Sequence, residues 1–283
     1  MVKIVSDSST LYSIAEGKDS NIDIAPLSVT INEVTYKEYE EIDTETFIEI
    51  IKDGHVPISS QPAIGEVIDI YNKYPNDEII NIAMADGLSG TYGSACTAKE
   101  LADNPKNIEV INSKTLCGPH RYLVDVAVKL AEMDKTKDEI VIEIKKLIET
   151  SQSYLIPNDF DYLVRGGRLS PLVGKIGSAI KLVPVMSLSD DRKKLVKFTT
   201  KRTFTKAIEK ISDALINDGV DSSYNVYVSH SCREELADSA KDTITKHIKG
   251  LNIQIKKLGP VFTTQGGPGC VAIQIIKKHS ILL

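Results

Sequence analysis

The run Glu78-Ile79-Ile80-Asn81-Ile82-Ala83-Met84, followed by Ala85-Asp86-Gly87-Leu88-Ser89-Gly90-Thr91-Tyr92, decides the fold. Its first half is nearly continuous in apolar residues, as in a strand buried on both faces. The glycines and hydroxyls after it read as a turn into a helix over Ser89–Ala102, and Ile108–Ile111 reads as the next strand. A strand, a helix and a strand in this order predict parallel pairing with helices covering the sheet.

Working outward, the same rhythm continues on both sides. Val2–Val5 reads as a strand ending at Asp7-Ser8-Ser9. Asp43 is placed to cap a helix whose apolar face carries Phe47, Ile50 and Ile51, with Gly54 as its stop. A further helix is expected after Pro62, using Val67, Ile68 and Tyr71, and two more over Arg121–Met133 and Asp138–Thr150. The second half changes character. Pro184–Leu188 and Leu195–Thr199 flank Asp190-Asp191-Arg192-Lys193 as a hairpin would. Phe204–Ile216 and Glu234–Ile248 read as helices, and Tyr224–Ser229, Ile253–Leu258 and Val271–Ile276 as strands. The expected class is α/β, with a parallel α/β domain over 1–157 and an α+β domain over 158–283 whose sheet is largely antiparallel.

Composition narrows the function. The 283 residues are 42% hydrophobic and 26% charged, with a formal net charge of −5. Without a basic stripe to displace counterions, nucleic acid is not an expected partner. No apolar run approaches the roughly 18 residues of a membrane helix, and Met1 leads into Lys3 and Asp7 without a signal-peptide core. The four cysteines, at 96, 117, 232 and 270, form no C-x-x-C pair and read as reduced, mostly buried thiols. A cytoplasmic protein is expected.

Several enzyme signatures come close and fail. Gly174-Lys175 lacks the earlier glycine and the following hydroxyl of a phosphate loop, because Leu169 and Ile176 stand there. Gly87, Gly90 and Gly93 do not make the dinucleotide fingerprint. Asp7 sits at a strand end as a phosphatase nucleophile would, but Ser9 occupies the place of the second aspartate. Ser89 lies in G-x-S-G-x rather than G-x-S-x-G. The five histidines have no metal-binding spacing, and His230 at a strand end reads as structural. A phosphatase or esterase using Asp7 or Ser89 remains the alternative; no catalytic residue, metal or cofactor is otherwise expected.

What remains is hydroxyl residues beside glycines at strand-to-helix turns: Ser59-Ser60-Gln61-Pro62, Ser89-Gly90-Thr91-Tyr92, and the glycine-rich stretch Gly259–Gly269. Helix N-termini at the carboxyl ends of parallel strands bind anions well. Each serine also fits a plain helix cap. The residues alone therefore support either caps or a small-anion site.

The order Asp7-Ser8-Ser9, Ser59-Ser60-Gln61-Pro62, Gly87-Leu88-Ser89-Gly90-Thr91-Tyr92, Asn112-Ser113-Lys114 and Asp161–Ser170 resembles the DegV family. Pro184, Lys201-Arg202, Gly259-Pro260-Val261 and Gly267-Pro268-Gly269 continue the likeness over almost the whole chain. The resemblance implies a two-domain fold holding a long-chain fatty acid between the domains. It implies that Ser59 and Ser89 bind the carboxylate, with Gln265 and Gly266 as a further head-group loop. It also implies presentation of the acyl group to a separate ATP-dependent bacterial fatty acid kinase, with Arg165, Arg168 and Arg202 as contacts. Three positions depart from the family pattern: Ser59 for threonine, Gln265-Gly266 for histidine and threonine, and Val183 for lysine. Apolar residues within Leu169–Val185 are candidates for lining the tail.

Overall fold

The structure, a computed structural model, describes residues 2–170 and 182–282. Strands β1 (Val2–Asp7), β2 (Ile22–Ala25), β6 (Glu78–Ala83) and β7 (Ile108–Asn112) form a sheet in the order β2-β1-β6-β7. Every pairing in it is parallel. In β6, Ile79 through Ala83 are all buried. Helices α3 (Ile64–Asn72) and α4 (Thr91–Leu101) cover one face, while α5 (Cys117–Glu132) and α6 (Lys137–Ile148) cover the other. Buried Asn81 is accommodated because its Nδ2 donates to Tyr71 Oη at 2.6 Å.

The second sheet has six strands, β8 (Gln152–Ile156), β9 (Val183–Leu188), β10 (Leu195–Lys201), β11 (Tyr224–His230), β12 (Asn252–Lys257) and β13 (Val271–Lys277). They run β10-β9-β8-β13-β11-β12, antiparallel throughout except for the β11–β12 pair. Alternation along β13 assigns its two faces. Val271, Ile273 and Ile275 pack under helices α8 (Phe204–Asn217) and α9 (Glu234–His247), against Ile208, Ile211 and Ile244. Ala272, Gln274 and Ile276 point the other way, toward the first half of the chain. Burying branched side chains of this kind contributes about 1.5–3 kcal/mol each.

Local signals explain most boundaries. Asp43 caps α2 (Thr44–Lys52), its Oδ1 accepting from Thr46 N at 2.7 Å. Thr136 and Glu139 form a capping box at α6. The helix expected from Ser89 begins two positions later, at Thr91. A third sheet was not foreseen: β3 (Ser28–Ile31) pairs antiparallel with β4 (Val34–Lys37) and with β5 (Ile58–Ser60). Ser59 and Ser60 therefore lie in a strand rather than at a helix cap. The stretch Gly259–Gly269 likewise contains a helix, α10 (Pro260–Gly266), opened by proline. The remaining α-helices among the described residues are α1 (Ile14–Asp19) and α7 (Phe160–Arg165). Of the thiols, Cys117 and Cys270 are buried and Cys96 half-buried, whereas Cys232 is exposed.

Candidate functional site

The Asp7-Ser8-Ser9 motif at the end of β1 is consumed in holding turns together. Asp7 is 2% exposed; its Oδ1 accepts from Ser9 N at 3.0 Å and its Oδ2 from Met84 N at 2.9 Å. Ser9 Oγ meets Nδ1 of fully buried His120 at 2.8 Å, while His120 Nε2 faces the Ile82 carbonyl at 2.9 Å. Nε2 must donate to that carbonyl, so Nδ1 accepts from Ser9, and burial lowers the ring's pKa further. Each oxygen of Asp7 thus accepts one backbone N–H, and the carboxylate is closed off from solvent. His230 Nδ1 accepts from Arg233 N at 3.1 Å, a structural turn contact.

Ser59 and Ser89 share a cavity of about 310 Å³ with Gln265 and Arg168. Each arrives on a different element: Ser59 on β5, Ser89 on the loop from β6 to α4, Gln265 on α10 and Arg168 just after α7. Gln265 Nε2 donates to Ser59 Oγ at 2.7 Å, which fills one lone pair and leaves the serine hydrogen for another acceptor. Ser89 Oγ accepts from Thr91 N at 3.2 Å and lies 2.8 Å from Thr91 Oγ1. Ser89 is therefore a cap-like residue and a cavity residue at once. No histidine stands among the cavity's described lining residues, so Ser89 has no general base there.

Arg168, grouped by the resemblance with partner contacts, has its half-buried side chain in this wall. Its Nε donates to the Leu88 carbonyl at 2.9 Å and its Nη1 to the Gly166 carbonyl at 2.5 Å. Burial lowers its pKa, but a guanidinium keeps its charge in proteins. It is the one cation among the described residues lining the cavity. A Cβ at Gly166 would meet the Gln265 amide, so a larger residue there requires the Gln265 side chain to move. Arg165 and Arg202 are exposed, and Arg165 lies 4.6 Å from the Tyr162 ring centre.

Met84, Leu88, Arg168, Phe262 and Gln265 also line a second, deeper space of about 100 Å³. Its walls are almost wholly carbon. Leu116 comes from the first half of the chain, and Leu155, Leu188 and Leu195 from the second. The sequence missed these residues, since their shared face exists only once β8 pairs with β9 and β13. Of the tail candidates within Leu169–Val185, Leu169 packs on Leu163 and Met186, and Val185 lies under α8. Residues 171–181 lie outside the described residues. No group of side chains able to hold a metal occurs among the described residues.

Fold and site together define an α/β protein in which a polar cavity, lined among the described residues by a single cation, adjoins an apolar chamber. The family model described as "Uncharacterised protein, DegV family" matches residues 1–278. A DegV domain-containing protein of Staphylococcus aureus (strain N315) is 31% identical over 278 residues, 97% of this chain and 98% of its own. The solved structure of DegV from Bacillus subtilis, described as a fatty acid binding protein, has a TM-score of 0.84 at 29% identity. It covers 98% of this chain and 99% of that one. A Thermotoga maritima protein, described as having a fatty acid binding function, has a TM-score of 0.83 at 26% identity, covering 98% and 99%. The chain belongs to the DegV family.

Proposed function

We propose that the protein binds one long-chain fatty acid, with the carboxylate in the cavity of Ser59, Ser89 and Arg168 and the tail in the apolar chamber. The observation that carries this reading is that the two spaces adjoin, sharing Met84, Leu88, Arg168, Phe262 and Gln265 among their lining residues. The fatty acid binding described for the Bacillus subtilis and Thermotoga maritima proteins supports it. The expected domains 1–157 and 158–283 hold the ligand between them, with the division moved ahead of β8, because Gln152–Ile156 belongs to the second sheet. Affinity comes mainly from the tail, at about 0.8 kcal/mol for each methylene buried. The hydroxyls and the guanidinium orient the head and offset its desolvation. Gln265 and Gly266 shape the head-group loop, Gln265 by aiming the Ser59 hydroxyl.

Ser89→Ala tests the head-group assignment. Loss of a hydrogen bond to a charged group costs about 1.5–3 kcal/mol, so palmitate affinity should fall roughly 10- to 150-fold. Lower melting temperature with unchanged affinity would make Ser89 a helix cap only.

The protein then presents the carboxylate to a separate ATP-dependent fatty acid kinase, and is itself a carrier without catalytic residues or cofactor. Exposed Arg165 and Arg202 suit this docking, since guanidinium pairs well with carboxylate and phosphate. Arg202→Ala should bind fatty acid within about twofold of the native protein, as an exposed charge does little for a buried tail. It should fail in a reconstituted phosphorylation assay; normal phosphorylation would remove Arg202 from the interface. The four free thiols fit a reducing cytoplasm. No helix among the described residues is long and apolar enough to cross a membrane.

A further inference from the structure

The wall of the head-group cavity rests on a buried carboxyl. Leu27 and Val261 both line that cavity. Behind them, Leu27 N donates to Ser8 Oγ at 2.9 Å, and Ser8 Oγ donates to Glu38 Oε1 at 2.6 Å. Val261 N donates to Glu38 Oε2 at 3.2 Å. One short set of hydrogen bonds therefore ties Glu38 to two residues of the cavity wall. Glu38 is 1% exposed. Gly259 stays bare beside it, where a Cβ would strike both Glu38 Oε2 and the Tyr39 hydroxyl.

The groups around this carboxyl do not neutralise its charge. Among the described residues, the charge bearing on Glu38 is that of Asp7 on β1, which is also negative. Tyr39 beside it and Cys117 on α5 are held neutral by burial. Glu16 on α1 and Arg121 on α5 reach as far as Tyr39. His120 lies behind Ser9, and burial keeps its ring uncharged at neutral pH. Burial raises the pKa of Glu38 itself to about 8. On the cavity side, the guanidinium of Arg168 compensates one carboxylate and not two. A second negative charge in the same poorly hydrated wall is disfavoured.

Resting on the fatty acid reading above, we infer that a bound fatty acid and Glu38 share a single negative charge. The site takes the fatty acid anion while Glu38 is protonated, and releases it as Glu38 ionises. Binding therefore draws in a proton wherever the empty protein has already lost that one.

The test is binding of myristate to the full-length protein across neutral and alkaline pH, below the concentration at which the lipid aggregates. Myristyl alcohol serves as the uncharged comparison, and Glu38→Gln as the second protein. In the native protein, myristate affinity should be level up to about pH 7.5 and fall about fivefold or more by about pH 9.5. Alcohol affinity should stay level, and Glu38→Gln should hold myristate affinity within about twofold throughout. Calorimetry of the native protein in two buffers of different ionisation enthalpy should show proton uptake on myristate binding near pH 8.5 and none near pH 6.5, at about the window set by Glu38. That measurement stands by itself if the variant does not fold. A level myristate profile without proton uptake would overturn the linkage and leave the fatty acid reading intact. An equal fall for acid and alcohol would also overturn it, since ionised Glu38 would then only loosen the wall. Failure of myristate to bind at any pH would overturn both.

Discussion

Glu38→Gln should remove the fall in stability that a raised Glu38 carboxyl contributes as pH rises from about 4.5 to about 8. Glu38 follows β4 and is fully enclosed. Its carboxyl accepts from Ser8 Oγ at 2.6 Å and from Val261 N at 3.2 Å. Burial pushes its pKa from 4.5 up to about 8; the two hydrogen bonds pull it partly back, and the charge of Asp7 raises it again. The folded protein therefore holds this proton where the unfolded chain has released it. The contribution is full below the ordinary carboxyl value, declines as pH rises, and is lost above the folded value. The slope reaches at most about 1.4 kcal/mol per pH unit. A neutral glutamine side chain can still accept from Val261 N and has no such slope.

The informative quantity is the difference between the two melting curves across pH. Lowered His120 and His230 act in the opposite sense at acid pH in both proteins and cancel in that difference. Relative to the native protein, the Glu38→Gln variant should melt higher at pH 8 than at pH 5. Parallel curves would mean that Glu38 titrates normally and that its enclosure is not maintained in solution. Because Val261 belongs to α10, the helix that also carries Gln265, the same carboxyl ties the small sheet to the head-group loop.

Arg168→Met is expected to cause the largest loss of ligand affinity. Removing one partner of an enclosed, hydrogen-bonded charge pair costs about 2–5 kcal/mol, or roughly 30- to 5,000-fold in Kd. Since Arg168 also holds the Leu88 and Gly166 carbonyls, its loss could act through the wall alone. A long-chain alcohol separates the two effects, having the same tail and no charge. If the guanidinium meets the carboxylate, acid binding falls steeply and alcohol binding changes little. Equal losses for both ligands would reduce Arg168 to a wall-forming role, and Arg168→Lys should restore part of the acid affinity only in the first case.

The parallel sheet was legible because β6 is apolar on both faces and Asp43, Gly54 and Pro62 punctuate the helices around it. The β9–β10 hairpin was legible from its polar turn. The small sheet was hidden. Its hairpin turns through Asn32 and Glu33, both at positive φ, and Glu33 is a residue that rarely signals such a turn. At three residues, β5 is too short to show a period. Helix α10 was masked by flanking glycines, although Pro260 at its first turn was a usable signal. Ser59, Ser89 and Gln265 were reachable through motif likeness, and the structure gathers them around one cavity. The inward position of Arg168 was not reachable. It depends on α7 packing against α10, a contact between segments about a hundred positions apart in the chain.

The central claim, that this chain encloses one fatty acid, is tested most directly by native mass spectrometry of the purified full-length protein. The account predicts a population heavier than the bare chain by the mass of one long-chain fatty acid, released on denaturation and identified in the organic extract. Protein stripped of lipid should regain that mass with added palmitate, and Arg168→Met should regain far less. A folded protein that carries no lipid and takes up none at saturating palmitate would contradict the account.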